Sequence, residues 1–222
     1  MGGTARGRRN LVASGGLADN GDLAILADTK PNGSGGCANL AIDPIESVLH
    51  VSGATITDVA LAGGNSPIGG SVYDDFRFTP LVNASGNVAF TAKLTGLVPT
   101  TAVFLWDGVT TTTVVQQGDF SPQTGGSFVR FSDVAFANGD VVFVKSKFKG
   151  TTNKEGVIRF DPTSSSVQTN ADTPPTPFVG AAYRAFGDLL GVSHDGAQVA
   201  LVPKVKDGAP PTGKEGVLRC AE

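Results

Sequence analysis

NASGNVAFTAKL, residues 83–94, sets a small polar turn ahead of a strand that is apolar on both of its sides. Successive strand residues point to opposite faces, so Val88, Phe90 and Ala92 lie on one side and Ala89 and Thr91 on the other. An antiparallel sheet with one wet face alternates apolar with polar. A strand without that alternation belongs to a sheet covered on both faces. LAIL (23–26) and VVFV (141–144) read the same way.

The pattern recurs. ADNGDLAIL (18–26), NASGNVAFT (83–91), FANGDVVFV (136–144) and SHDGAQVALV (193–202) each read as a turn followed by a strand. Asn20-Gly21, Asn138-Gly139 and Asp195-Gly196 are pairs suited to two-residue hairpin turns, which need positive φ at both central residues. A second strand is expected after each turn, at CANLAIDP (37–44), TAVFLWDG (101–108), EGVIRFDP (155–162) and EGVLRCAE (215–222). A third is expected at TTTTVVQQ (110–117), with weaker counterparts at 55–61 and 164–169. A fourth leads into the next turn: FRFTPLVN (76–83) and VRFSDVAF (129–136), with poorer copies at 11–17 and 186–193.

Four short antiparallel strands per unit, at a period in the fifties, predict an all-β fold, a β-propeller of about four four-stranded blades. Residues 1–222 form one domain, with units at about 9–62, 76–117, 129–169 and 181–222. The last blade is incomplete. Its outer strand is expected either from residues 1–8 or from other chains, as in a partial propeller completed by oligomerisation. A homodimer through the open edge strand follows as an expectation. A β-sandwich is the competing architecture, but its strands would each keep one solvent face.

Composition agrees with many strands and tight turns. The chain has 30 Gly, 13 Pro and only 17% charged residues. A net charge of -3, from 17 Lys+Arg and 20 Asp+Glu, lacks the concentrated basic face of a nucleic-acid partner. Cys37 and Cys220, the two cysteines, form neither a zinc set nor a disulfide-rich scaffold and read as two small half-buried hydrophobes, with a bond between them as the alternative. The basic start MGGTARGRRN has no continuous apolar run after it, so no signal peptide is expected, and no segment reaches the length of a membrane span.

NASGNVAF matches at every fixed position the Asn-x-x-Gly-x-Val-Ala-Phe repeat of a family of bacterial tandem-repeat envelope proteins, which this region resembles. FLWDG, GDFSPQTGGSF and NGDVVF extend the likeness over about residues 76–161. Leu26 and Leu201 depart from it near the Phe position, and Gln198 implies a one-residue slip in the last unit. VSHDGAQVAL is more distantly similar to the propeller repeats of the Tol system, with His194 where Pro would stand. These resemblances imply a propeller in an extracellular, periplasmic or cell-envelope setting, and bring no defined activity.

Variable loops on a rigid scaffold tend to carry function. The long, variable connections fall on one face, opposite the hairpin turns, and a protein or glycan partner is expected there. In three of these loops Asn65, Asp119 and Asp172 each precede a Ser or Thr and then Pro. They read either as a ring of oxygen ligands or as side chains that cap their own loop backbone. Lys145, Lys147 and Lys149 alternate along one strand and so share a side, as a patch for an acidic polymer or as a solvated strand end. Trp106 reads as core.

Catalysis has little to stand on. His50 and His194 are the only histidines, and no nucleophile elbow or paired metal-binding histidines occur. No catalytic residue, metal ligand or cofactor is assigned. The expected function is a non-catalytic binding or protein-interaction module. The alternatives are a carbohydrate-active propeller enzyme with carboxylates such as Asp119, and a structural fragment that works only in an assembly.

Overall fold

The computed structural model describes residues 14–29, 45–98, 100–152, 154–170, 182–206 and 218–221. Among them every long element is a strand, and the only helical turn is the short 3-10 segment Asn138–Asp140. No helix is long and apolar enough to cross a membrane. The fold is all-β.

The strands form four antiparallel sheets. The first contains β1 (Ser14–Leu17), β2 (Leu23–Thr29), β3 (Ile45–Ser52) and β4 (Thr55–Leu61), in that order. The second contains β5 (Ser71–Val82), β6 (Val88–Gly96), β7 (Thr101–Trp106) and β8 (Thr111–Gln116). The third contains β10 (Gly126–Phe136), β11 (Val142–Lys149), β12 (Glu155–Phe160) and β13 (Ser165–Asn170), with the two-residue strand β9 (Phe120–Ser121) added beside β10. The fourth contains β14 (Ala182–Val192), β15 (Gln198–Lys206) and β16 (Leu218–Ala221).

The two-sided apolar strand has a direct explanation. Val88, Phe90, Ala92 and Leu94 on one face of β6 share a core with Ala24, Val48 and Ala60 of the first sheet. Ala89 on its other face shares a second core with Phe128, Phe131, Val142 and Val144 of the third. β11 repeats the arrangement, because Phe143 turns away from Val142 and Val144 to pack with Val199 of the fourth sheet. The middle sheets are thus covered on both faces. Each fully buried Val, Leu or Phe contributes about 1.5–3 kcal/mol by leaving water. In the first core Tyr73, Phe76, Phe90 and Phe104 add ring contacts with centroids 5.3–6.0 Å apart.

The first strand of each of the last three sheets carries an aromatic pair at a spacing of three: Tyr73 and Phe76, Phe128 and Phe131, Tyr183 and Phe186. Residues three apart in a regular strand would point to opposite faces. In each strand a register irregularity falls between the two, and the extra residue restores both members to equivalent register positions.

Two expectations are corrected. In the first unit the strand paired with β2 is β3, not residues 37–44, which lie outside the described residues. Its position across from Leu23 is held by Val51, as Trp106 lies across from Val88 and Phe160 across from Val142. The apolar run at 37–44 drew the alignment too early because this connection is the longest of its class.

The turns also differ from two-residue hairpins. Gly21 N–H donates to Ala18 O at 3.0 Å, Ala18 N–H donates to Asp22 O at 2.8 Å, and only Gly21 has positive φ, at 87°. This is a longer turn closed by one left-handed residue, so Asn20 needs no positive φ. Gly86 and Gly196 fill the same slot at 81° and 71°. In the last turn Ser193 N–H reaches Gln198 O, one residue further on, as the slip at Gln198 requires. The third turn is the exception. Gly139 comes one position early, and Asp140 itself occupies the left-handed slot at φ 62°.

Candidate functional site

The four hairpin turns meet. Each follows the last residue of the first long strand of its sheet: Leu17, Val82, Phe136 and Val192. Aligned on the left-handed slot, the second turn positions are Asp19, Ala84, Asn138 and His194. All eight residues line one pocket of about 300 Å³, with apolar walls from the strand ends and a polar rim from the turns.

Hydrogen bonds run round that rim. Asn20 Nδ2 donates to Ala84 O at 3.1 Å, linking the first turn to the second. Ala84 N–H donates to Asn138 Oδ1 at 2.8 Å, linking the second to the third. Asn138 N–H donates to His194 O at 3.1 Å, and Asn138 Nδ2 lies 2.6 Å from His194 Nε2, linking the third to the fourth. His194 Nδ1 lies 3.1 Å from Asp19 Oδ2, which returns to the first. Asn138 Nδ2 also lies 2.8 Å from His194 Nδ1, so the amide sits against the imidazole.

A second regularity lies behind the rim. The left-handed residue of one turn sits over the residue that follows the same slot in the preceding turn. A Cβ at Gly86 would stand 3.1 Å from Asp22 Oδ2, and one at Gly196 would stand 2.9 Å from Val141. Between them, Asp140 Oδ1 accepts from Asn87 Nδ2 at 2.7 Å and from Asn83 Nδ2 at 3.0 Å.

Under Gly86, His50 Nε2 lies 3.4 Å from Asp22 Oδ2, and the imidazole tilts against Trp106 with centroids 5.3 Å apart. Trp106 is core, as expected. A hydrogen bond from the Ser52 hydroxyl, joined by those from Asn20 and His50 and opposed by burial, holds the Asp22 carboxyl below the usual range. Ser52, Asp22 and His50 are not a catalytic triad. The Ser52 hydroxyl donates its hydrogen bond to the carboxylate rather than to the imidazole, so no base activates it. Among the described residues no three His, Cys, Asp or Glu side chains converge as metal ligands.

The candidate residues named from sequence are dispersed. Asn65 stands in the connection between β4 and β5, bridges to Val72 and lines a cleft beside Tyr73, without Asp119. Asp119 Oδ2 accepts from Gln116 N–H at 2.9 Å, the loop-capping use of the side chain. Asp172 lies outside the described residues. Lys145, Lys147 and Lys149 do not form one exposed row. Lys145 is buried with its amine 3.7 Å from Glu155 Oε1, while Lys147 and Lys149 are exposed. Phe143, two residues earlier on the same side of β11, packs with Val199 of the fourth sheet.

Sequence reasoning looked to the long-loop face and did not single out the turn rim. The available signal was positional, the residue after the first in each turn, and its four side chains are of four different types.

Residues 19–218 match the model of a family described as a family of unknown function (DUF7453). No protein of curated function matches the chain.

Proposed function

The chain belongs to the DUF7453 family, and from that premise we propose a four-bladed β-propeller that acts as a non-catalytic binding or interaction module of the bacterial cell surface or envelope. The observation that carries this reading is the single polar-rimmed pocket into which all four repeat units send the same turn position. Four sheets whose turns touch in cyclic order favour a closed ring. Middle sheets buried on both faces are what blades require. The surface setting rests on the repeat resemblance of residues 83–90.

The rim suits recognition better than turnover. Its amide, imidazole and carboxylate bond one another, and neither an activated nucleophile nor an acid–base carboxylate pair faces the pocket. A ligand with matching donors and acceptors exchanges these exposed bonds at little cost, and the apolar strand ends take up its non-polar part.

The test uses a pocket-filling variant. Ala84 is exposed on the rim, so Ala84→Trp fills the opening without disturbing a core. The wild-type chain and this variant are to be titrated against an arrayed set of bacterial envelope glycans and peptides. Saturable binding to one species that Ala84→Trp abolishes is the expected result. Binding that the variant retains in full, or hydrolysis of chromogenic glycosides by the wild-type chain, overturns the proposal.

A further inference from the structure

The seam between the first and second sheets opens into a cleft of about 500 Å³, away from the turn rim. Its polar lining comes from Asp58 of β4, Asn65 and Ser66 of the following connection, Tyr73 of β5, and Thr110 and Thr111 at the start of β8. Leu61 and Pro67 add apolar wall, and Leu61 is 39% exposed. We propose that this cleft binds a neutral polyhydroxylated ligand, a sugar, with the Tyr73 hydroxyl at its floor.

Tyr73 is the informative residue. Only 4% of it is exposed, its ring packs on Phe76, Phe90 and Phe104, and no described residue hydrogen-bonds its hydroxyl. The hydroxyl is not one of the sealed, unpaired atoms of the core, so it keeps contact with the cleft that the residue lines. The fold does not require the oxygen. Phe128 holds the equivalent place in β10, across from Phe148 as Tyr73 is across from Leu94, and is just as buried. β14 carries Tyr183 at the same register position, so the phenylalanine of β10 is one of two side chains this place accepts. A smaller groove of about 240 Å³ between the second and third sheets is lined by Leu105, Val142 and Phe160 with Thr112, Thr113 and Asp161, and does not include Phe128.

The lining chemistry selects the ligand class. It offers hydroxyls, one amide and one carboxylate, with no cation, so it repels phosphate, sulfate and acidic sugars. Sugars combine a ring of hydroxyls with an apolar face, which the Leu61 and Pro67 wall accommodates. Burial pushes the Tyr73 phenol well above its ordinary range, so it remains a neutral donor.

This site goes beyond the turn-face reading and is tested separately. Methyl glucosides, galactosides and mannosides, with glucose 6-phosphate as the anionic counterpart, are to be titrated by ligand-observed NMR against the full chain. At least one neutral glycoside is expected to bind, and the phosphate is not. Tyr73→Phe, the residue the third sheet already uses, is expected to weaken that glycoside about tenfold. Asn65→Ala, a change on an exposed loop, provides a second variant with an expected loss of similar size. Ala84→Trp leaves this binding unchanged while removing any turn-face ligand. Absence of binding by every neutral glycoside, or binding that neither Tyr73→Phe nor Asn65→Ala weakens, overturns the proposal.

Discussion

Asp140 holds Asn87 across a sheet boundary: its carboxylate accepts the Asn87 side-chain amide at 2.7 Å while its own backbone stands in the left-handed region at φ 62°. Glycine fills that slot in the other three turns. The left-handed conformation costs a residue with a Cβ about 1–2 kcal/mol, and the charged bonds to Asn83 and Asn87 offset it. Asp140→Ala keeps the backbone cost and removes both bonds, so a loss of about 2–4 kcal/mol is expected in urea unfolding. Asp140→Gly removes the bonds and the backbone cost together and loses about 1 kcal/mol less than the alanine variant. A glycine variant as weak as the alanine one would mean that the backbone is not left-handed there.

Gly21 and Gly196 occupy equivalent slots in different surroundings. A Cβ at Gly21 meets nothing within 4 Å, whereas one at Gly196 meets three atoms of Val141 at 2.9–3.1 Å. Gly21→Ala should lose only the backbone term, about 1 kcal/mol. Gly196→Ala should lose that and a further ~1–3 kcal/mol of overpacking. Val141→Ala in the Gly196→Ala background should recover part of the second loss. Equal losses at the two glycines in chemical denaturation would argue against the seam between the third and fourth sheets as described.

These turns also explain what sequence reading could reach. Strand positions other than β3 came through because hydrophobic runs and Asn-Gly or Asp-Gly punctuation report local geometry directly. The paired burial of β6 was readable because Val88 to Ala92 lack a polar face. Asp140 was hidden because Gly139, one position earlier, is the more obvious turn residue, and only the hydrogen bonds to Asn83 and Asn87 reveal the shift. The Tyr73–Phe76 pair was hidden for another reason. A spacing of three contradicts strand alternation until the register irregularity between them is known. Lys145 could not be told from Lys147 because the two share one side of the strand and differ in burial and in the Glu155 neighbour, which are set outside the strand. At the rim, Asp19, Ala84, Asn138 and His194 share a position and no chemistry, so no repeated residue type marked them.

Two exposed carboxylates fasten their own turns and should set the acid limit of the fold. Asp107 Oδ1 accepts Thr110 N–H at 2.7 Å and Val109 N–H at 2.9 Å, and these backbone bonds hold its carboxyl below the usual range. The Ser193 hydroxyl, followed by Ala197 N–H, does the same for Asp195. A carboxyl with a depressed folded pKa contributes stability above its unfolded value, near 3.9, and loses it as pH falls through the folded value. The urea midpoint should therefore stay level down to about pH 5 on account of these groups and fall below about pH 4. Asp107→Asn should lower the midpoint at pH 7 and flatten the acid limb. An acid limb unchanged by that substitution would exclude Asp107 as a contributor.

His194 Nδ1 lies 3.1 Å from Asp19 Oδ2, a contact between residues near opposite ends of the described chain, and the proposed ring can be tested there. Both side chains are largely exposed, so the pair itself contributes little stability. It serves better as a proximity gauge. With Cys37 and Cys220 replaced by Ser, Asp19→Cys and His194→Cys place two thiols on the same rim. A short bismaleimide should join them within one molecule, giving a faster-migrating band on a denaturing gel at micromolar protein. In urea the same reagent should fail, since a long flexible loop rarely brings its ends so close. Cross-linking only between molecules, or equal yield in urea, would mean that the first and last sheets do not meet and that four sheets do not make a closed propeller.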